Sequence, residues 1–576
     1  MVHSDPPSSA RPLPRAGAPE EPARAGRVVD AAGRAAGRGA GRSAPRGRSG
    51  DAGRDPVAEA GSELIGGPRG RHAGVGVGWW TPLRVVALTS IGMFALGMVQ
   101  KLPCWTTGWF HGAATQYTAA CYSDIPHLYR ARGFADGLIP YLDRIPEELG
   151  AGMEFLEYPV LTGAFMEVTA WLTPGGAQTY RPEQYYWSVN AGLLMICAVV
   201  IALCVSRIHP RRPLDGLMVA LSPALALTAT INWDLFAGAL LMVALLLWSR
   251  GRPFAAGVLI GLATAAKLYP VLVLGPLLLL CLRAGRFRPL LAACCGALLS
   301  WTAVNLPVMV VAREGWATFY TFSRERSVDF GSLWLLLVQR TDLSLGTERV
   351  NLLATGATLA GWAVLVVVTF VAPRRPRLPQ LVFLAVAIFI LFNKVYSPQY
   401  VLWLIPLAVL ARPRWRDLLI WQSAEVLYFL AIWMYLAQTT GEPGLPRGGY
   451  HFAIALHLAA TAYLCLVVLR DTLRPDRDPV RADGSDDPAG GVLDGAADRF
   501  ALRPHIPSPP PDGRRVVLER AGAGDGGGGK PPAAPAGIAF HVKQRPESER
   551  AGKPGTPGTP DEKTTRDAGP SERNDS

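Results

Sequence analysis

The sequence has no Walker loop, no HExxH and no GxSxG, so nothing in it suggests a soluble nucleotide site or a zinc or serine hydrolase. Its eight cysteines follow no metal-ligand or scaffold spacing, and no motif calls for a metal or any other cofactor. No apolar run lies near the N-terminus, the first starting near Arg84, which does not fit a signal peptide. Lysine is scarce. Arginine outnumbers it 50 to 7, and only Lys101, Lys267 and Lys394 fall between residues 84 and 470. Charged residues are 18% of the chain against 50% hydrophobic ones. The net charge of +12 does not point to nucleic acid, because the arginines sit in the chain ends and in short loops between apolar runs, where they orient a membrane protein.

Long apolar runs are what the chain has instead. A helix needs roughly 20 apolar residues to cross a bilayer, and twelve candidates follow one another: 84–102, 185–206, 214–231, 235–249, 254–267, 268–283, 289–311, 350–372, 379–393, 398–411, 416–437 and 450–470. The expected fold is an all-α polytopic membrane protein. Residues 1–83 and 471–576, rich in Ala, Gly, Pro, Arg and Asp, cannot bury enough apolar surface to offset the entropy of ordering and read as two disordered tails.

Short Arg-rich segments at 207–212, 250–252, 283–288, 374–377 and 412–416 should all be cytoplasmic. Twelve spans with both termini inside achieve this. Two local readings follow. The apolar segment 158–172 is a re-entrant or interfacial helix, because a crossing there would invert every later loop. Residues 254–283 form a hairpin with its tip at Lys267. Cys104 and Cys121 then share the helical first outer loop, where an oxidising compartment would allow them to pair.

Ionisable groups at membrane depth cost about 2.5–3.5 kcal/mol each on insertion scales and are functional suspects. Here most map to the outer face. Asp124, with Asp136 as fallback and His127 and Arg130 nearby, is placed to act as a general base, although Asp124 before Pro126 also reads as a helix cap. Glu157 enters the re-entrant segment as a second site carboxylate or a hydrated rim residue. Asp234, in Asn232-Trp233-Asp234, lines a cavity or caps a helix. Lys267 and Lys394 sit at two outer tips, the latter flanked by Asn393 and Tyr396. Such a pair suits a lipid-linked phosphate; snorkelling to the interface is the plainer reading. Arg313, Arg324, Glu325, Arg326 and Asp329 in the long loop 312–349 read mainly as a solvated charge run.

The order SDIPHLYRARGFADGLIPY, EYP, NWD, GLATAAKLYPVLVL and FNKVYSPQYVLWLIP over residues 84–470 resembles glycosyltransferase family 87, the actinobacterial membrane mannosyltransferases of the C-type fold. The resemblance implies a polyprenyl-phosphate sugar donor, a glycolipid or glycan acceptor, and inverting transfer on the outer face of the bacterial plasma membrane. It makes Asp124 the expected base. A transporter or lipid flippase is the rival class, but it would show an internal repeat with paired broken helices, and no convincing repeat is seen.

Overall fold

The computed structural model describes residues 55–64, 78–110, 114–150, 152–174, 181–341 and 345–502. These are helical, with one isolated parallel bridge between Asp329 and Val395. Six helices are long and apolar enough to cross a membrane: Pro82–Gln100, Pro182–Ile208, Phe287–Val311, Thr347–Val371, Trp415–Thr439 and Arg447–Leu473. Between them stand shorter apolar helices, Asp234–Ser249, Pro253–Ala266, Leu274–Ala284, Leu378–Phe392 and Val401–Ala411. All but one of the expected crossings is thus a helix or a helix extended by a 3₁₀ turn.

The exception is 214–231, which divides into Gly216–Ala220 and Pro223–Thr228. Pro223 has no N–H to continue the first helix. Ser222 caps the second, its Oγ accepting from the Leu225 N–H at 3.1 Å. The broken backbone is sheltered by protein, with Ser222 Oγ donating to the Gln422 side chain at 2.7 Å, as irregular structure at membrane depth requires.

The layering follows from where apolar side chains point. Leu378–Phe392 and Val401–Ala411 are apolar all round and almost wholly buried, so they form the centre. Phe287–Val311 and Thr347–Val371 expose Leu298, Leu299, Val310, Val311, Leu352 and Val367 and lie at the lipid-facing periphery.

The five Arg-rich segments gather at one end of the bundle. Arg212 donates to the Pro413 carbonyl, and Arg250 to that of Arg207. Arg377, fully buried, forms a two-point ion pair with Asp478 at 2.7 and 3.0 Å and donates to the Leu410 carbonyl at 2.9 Å. Arg283 and Arg375 share Asp498, both at 2.7 Å. Arg412 is held by Asp417 and Asp471. Asp478, Asp486 and Asp498 belong to a strap, 474–502, that crosses this end. The expected tail from 471 is therefore wrong over its first part, because Asp478 and Asp498 meet Arg377, Arg283 and Arg375, which would otherwise be buried without a charge partner. The helix Pro56–Leu64 likewise lies within the expected N-terminal tail, and Asp55 accepts from the Trp415 N–H at 2.7 Å. Residues 78–83 of that tail lead into the helix Pro82–Gln100, which Thr81 caps, and the remaining tail residues are outside the described ones.

The strap also settles the hairpin. It touches the end of Asp234–Ser249, Trp248 donating to the Gly490 carbonyl at 2.8 Å, and the end of Leu274–Ala284 through Arg283. The chain therefore turns back at Lys267. Segment 158–172 is the helix Val160–Trp171, 12 residues long and too short to cross. Its Thr162 hydroxyl donates to the Ala266 carbonyl, beside that hairpin tip, at 2.6 Å. Cys104 and Cys121 are bonded, with Cα atoms 5.8 Å apart.

Replacing Asp478 with Ala leaves the Arg377 guanidinium buried without its charge partner, at an expected cost of about 3–5 kcal/mol. Asp476→Ala, at an exposed strap position, should stay within about 0.5 kcal/mol. Thermal unfolding of the solubilised protein, followed with a thiol-reactive dye at the buried cysteines, measures the difference.

Candidate active site

At the end opposite the arginines, the chain forms a cavity of about 570 Å³. It is assembled from separate stretches: Tyr117, Tyr122 and Asp124 of the first loop, Glu157 and Tyr158, Asn232, Lys267, Phe319 to Asp329 on the long loop, Ser397 to Tyr400, and Trp433 and Leu436.

The first loop is stitched to the turn before Asp234. Ser123 is extended and caps the helix Asp124–Ala131, while its hydroxyl donates to the Thr230 carbonyl at 2.6 Å. The Asp124 N–H donates to the Ile231 carbonyl at 2.8 Å. Asp124 is thereby set against Asn232. One carboxylate oxygen accepts from the Tyr122 hydroxyl at 2.7 Å and the other from the Asn232 amide at 2.9 Å. The same amide nitrogen lies 2.6 Å from the Tyr158 hydroxyl.

Lys267 lies between two helical pieces in extended conformation. Its ammonium is 5.3 Å from the Tyr158 ring centre and 3.4 Å from the fully buried Asp234 carboxylate. Asp234 opens its own helix, where an anion is favoured. It also accepts from the Trp403 indole at 2.7 Å, and Trp403 is stacked between Tyr269 and Tyr400 at 4.3 and 4.1 Å. Lys267 is thus held on a rigid support and aimed at the cavity. Both readings of Asp234 hold in part: it begins a helix, and it serves the cavity through Lys267 rather than by lining it.

Three carboxylates line the cavity, and two are committed. Glu157 takes a two-point contact from Arg132 at 2.6 and 2.7 Å, so it anchors the loop and is not free for proton transfer. Asp329 is paired with Arg326 at 2.6 Å. Asp124 alone has no ion pair among the described residues; its partners are neutral donors. Burial pushes its carboxyl above the usual carboxylate range, and the Tyr122 and Asn232 donors, with Lys267 and His127 at longer range, pull it part of the way back.

The remaining expected residues fall elsewhere. Lys394 does not line the cavity. Its ammonium donates to the Arg324 carbonyl at 2.9 Å and the Asn351 side chain at 2.8 Å, bracing the long loop. Asn393 turns its side-chain oxygen back to the Lys394 N–H at 2.9 Å. Tyr396 is fully buried, 3.1 Å from Glu425. Arg130 pairs with Glu183, and His127 packs on Phe110 at 4.8 Å. Asp136 is an exposed turn residue outside the cavity lining. The cation that does join Lys267 is Arg326. The sequence offered a hint of Tyr158 and Asn232, which stand in the EYP and NWD motifs. For Tyr122 and Arg326 it offered only proximity to a suspect carboxylate and membership of a charge run.

The raised Asp124 carboxyl can be tested directly, because a hydrophobic carbodiimide reacts with the protonated form. Labelling of Asp124, read by mass spectrometry, should persist well above the pH at which an ordinary aspartate ionises. Asn232→Ala removes a donor that stabilises the charged form, so labelling should extend to still higher pH.

No curated protein sequence matches the chain significantly. Among solved structures it is similar to the Archaeoglobus fulgidus oligosaccharyltransferase in the apo form, with 12% identity and a TM-score of 0.33 over 68% of this chain and 55% of that one. It is also similar to that enzyme tethered through a disulfide to an acceptor peptide containing the NVT sequon, with 11% identity and a TM-score of 0.30 over the same shares. The chain thus spans about half the length of these structures. The matched family segment carries Glu157, Asn232, Asp234 and Lys267 and begins after Asp124. Residues 155–393 match the model of glycosyltransferase family 87, the family its motifs resemble, which supports a membrane glycosyltransferase.

Proposed function

We propose that the protein transfers a hexosyl group, mannosyl by its family resemblance, from a polyprenyl phosphate to a hydroxyl of a glycolipid or glycan on the outer face of the bacterial plasma membrane, with inversion. The observation that carries this reading is the position of Asp124, a cavity carboxylate without an ion-pair partner among the described residues, next to a lysine held on a separate rigid support.

Asp124 accepts the proton of the acceptor hydroxyl. The oxygen attacks the anomeric carbon from the side opposite the phosphate, the glycosidic C–O bond to phosphate breaks, and the polyprenyl phosphate leaves as an anion. Lys267 and Arg326 hold that anion, stabilising charge that grows in the transition state. Arg326 thereby takes the part first considered for Lys394. Tyr122 and Asn232 keep the Asp124 carboxylate oriented and ionised. Phe319 and Phe322, on the cavity wall, suit a donor carried on a prenyl chain.

Two features favour an outward-facing site. The Cys104–Cys121 bond adjoins the cavity end, and disulfides persist in oxidising compartments. The arginine-rich end lies opposite, as a cytoplasmic face should.

Transfer from radiolabelled polyprenyl-phosphate mannose by the purified full-length protein in nanodiscs tests the proposal. Asp124→Asn should lower the rate by about 10²–10⁴-fold and Lys267→Met by about 10²–10³-fold, whereas Lys394→Met should keep most activity. Near wild-type transfer by Asp124→Asn would sink the mechanism.

A further inference from the structure

The cavity has an aromatic wall of which this mechanism uses only the Tyr122 hydroxyl. Tyr117, Tyr122 and Trp433 all line it, with ring planes within 18° of one another. Tyr122 and Trp433 are stacked at 4.5 Å. Phe429 meets Trp433 edge-on at 6.0 Å, fixing the indole. The Trp433 indole nitrogen is buried and has no hydrogen-bond partner among the described residues, and a buried N–H left unpaired is costly. Lys101 lies behind the wall, its ammonium donating to the Tyr122 carbonyl at 3.1 Å, and does not line the cavity.

The order of contacts assigns the wall a role. From one side of the cavity to the other run Trp433, Tyr122, Asp124, Asn232, Tyr158 and Lys267, each touching the next. The base therefore stands between the aromatic wall and the lysine. In an in-line displacement the incoming oxygen and the leaving phosphate lie on opposite sides of the anomeric carbon. If Lys267 holds the phosphate, the acceptor occupies the side of the wall. That side offers aromatic rings and, among the described residues, no lining cation. Such a surface fits the C–H face of a neutral pyranose with its hydroxyls at the edge, and does not fit an anion.

Resting on the function proposed above, we propose that Tyr117, Tyr122 and Trp433 form the acceptor subsite, and that the acceptor presents a neutral sugar ring to it rather than a lipid chain or a charged headgroup.

Binding can be read without turnover. The probe is n-octyl α-D-mannopyranoside, with 1-O-octylglycerol as a control that has chain and hydroxyls but no ring. Saturation-transfer NMR on the full-length protein in nanodiscs should show wild type binding the mannoside at least tenfold more tightly than the control. Trp433→Ala should weaken mannoside binding at least tenfold, and Trp433→Phe, which keeps a ring but loses the N–H, by less. Tyr117→Ala, at a half-exposed position that tolerates truncation, should weaken it several-fold. Lys394→Met, outside the cavity lining, should leave it unchanged. Mannoside binding that is no better than that of octylglycerol, or that survives both Trp433→Ala and Tyr117→Ala, overturns the subsite. Absence of transfer from any polyprenyl-phosphate sugar would instead overturn the function proposed above, so the two failures are distinguishable.

Discussion

A charge inside a helical bundle in lipid must have a partner, and the organisation of this protein follows from that requirement. Arg283, Arg377 and Arg412 are all but completely buried, where an unpaired guanidinium would cost several kcal/mol. Each is met by one or more aspartates, and two of those, Asp478 and Asp498, come from the 474–502 strap. The strap is in this sense part of the fold. It binds the ends of helices far apart in sequence and fixes one face of the bundle.

With one end clamped, the other can be irregular. Lys267, the 3₁₀ turns at Tyr269–Val273 and Pro398–Tyr400, and the 229–233 turn all lie at the cavity end, as expected of non-helical backbone lining a polar cavity. A second buried cluster supports them. Glu425 accepts from Tyr396, Trp421 and Thr461, each at 3.1 Å, and His457 lies 2.9 Å from the Gly331 carbonyl. Gly331 has φ +60°, and any side chain there would strike Tyr428. These contacts hold the Asp329–Ser332 turn against Val395 and Tyr396, which places Asp329 and Phe330 in the cavity wall.

Hydropathy and loop charge indicate at which end of the bundle a segment lies, and the structure agrees with that coarse placement. The re-entrant 158–172, the reversal at Lys267 and the shared end of the five arginine segments were all legible, because each follows from which side of the membrane a residue must face. Direction around a helix axis was not legible. Lys394 is at the expected end, but its ammonium points into the long loop, while Arg326, a member of that loop's charge run, lines the cavity. The strap was missed for a related reason. Its composition is that of a disordered tail, and only the buried arginines elsewhere in the chain give its aspartates something to pair with.

The same distinction bears on Asp124 and Asp136. Both are aspartates of one outer loop, and spacing alone cannot rank them. What separates them is the partner each finds in space. Asp136 ends in an exposed turn, whereas Asp124 is drawn to the 230–232 turn by Ser123 and its own N–H and receives two neutral donors there. A carboxylate with an arginine partner, such as Glu157, is already committed, and Asp136 lies outside the cavity. Asp124 avoids both: burial makes its proton affinity higher, and neutral donors restrain that rise without neutralising the charge. The cavity thus sets one carboxylate apart chemically by withholding an ion pair from it, and it does so at the point where an aromatic wall and a lysine meet.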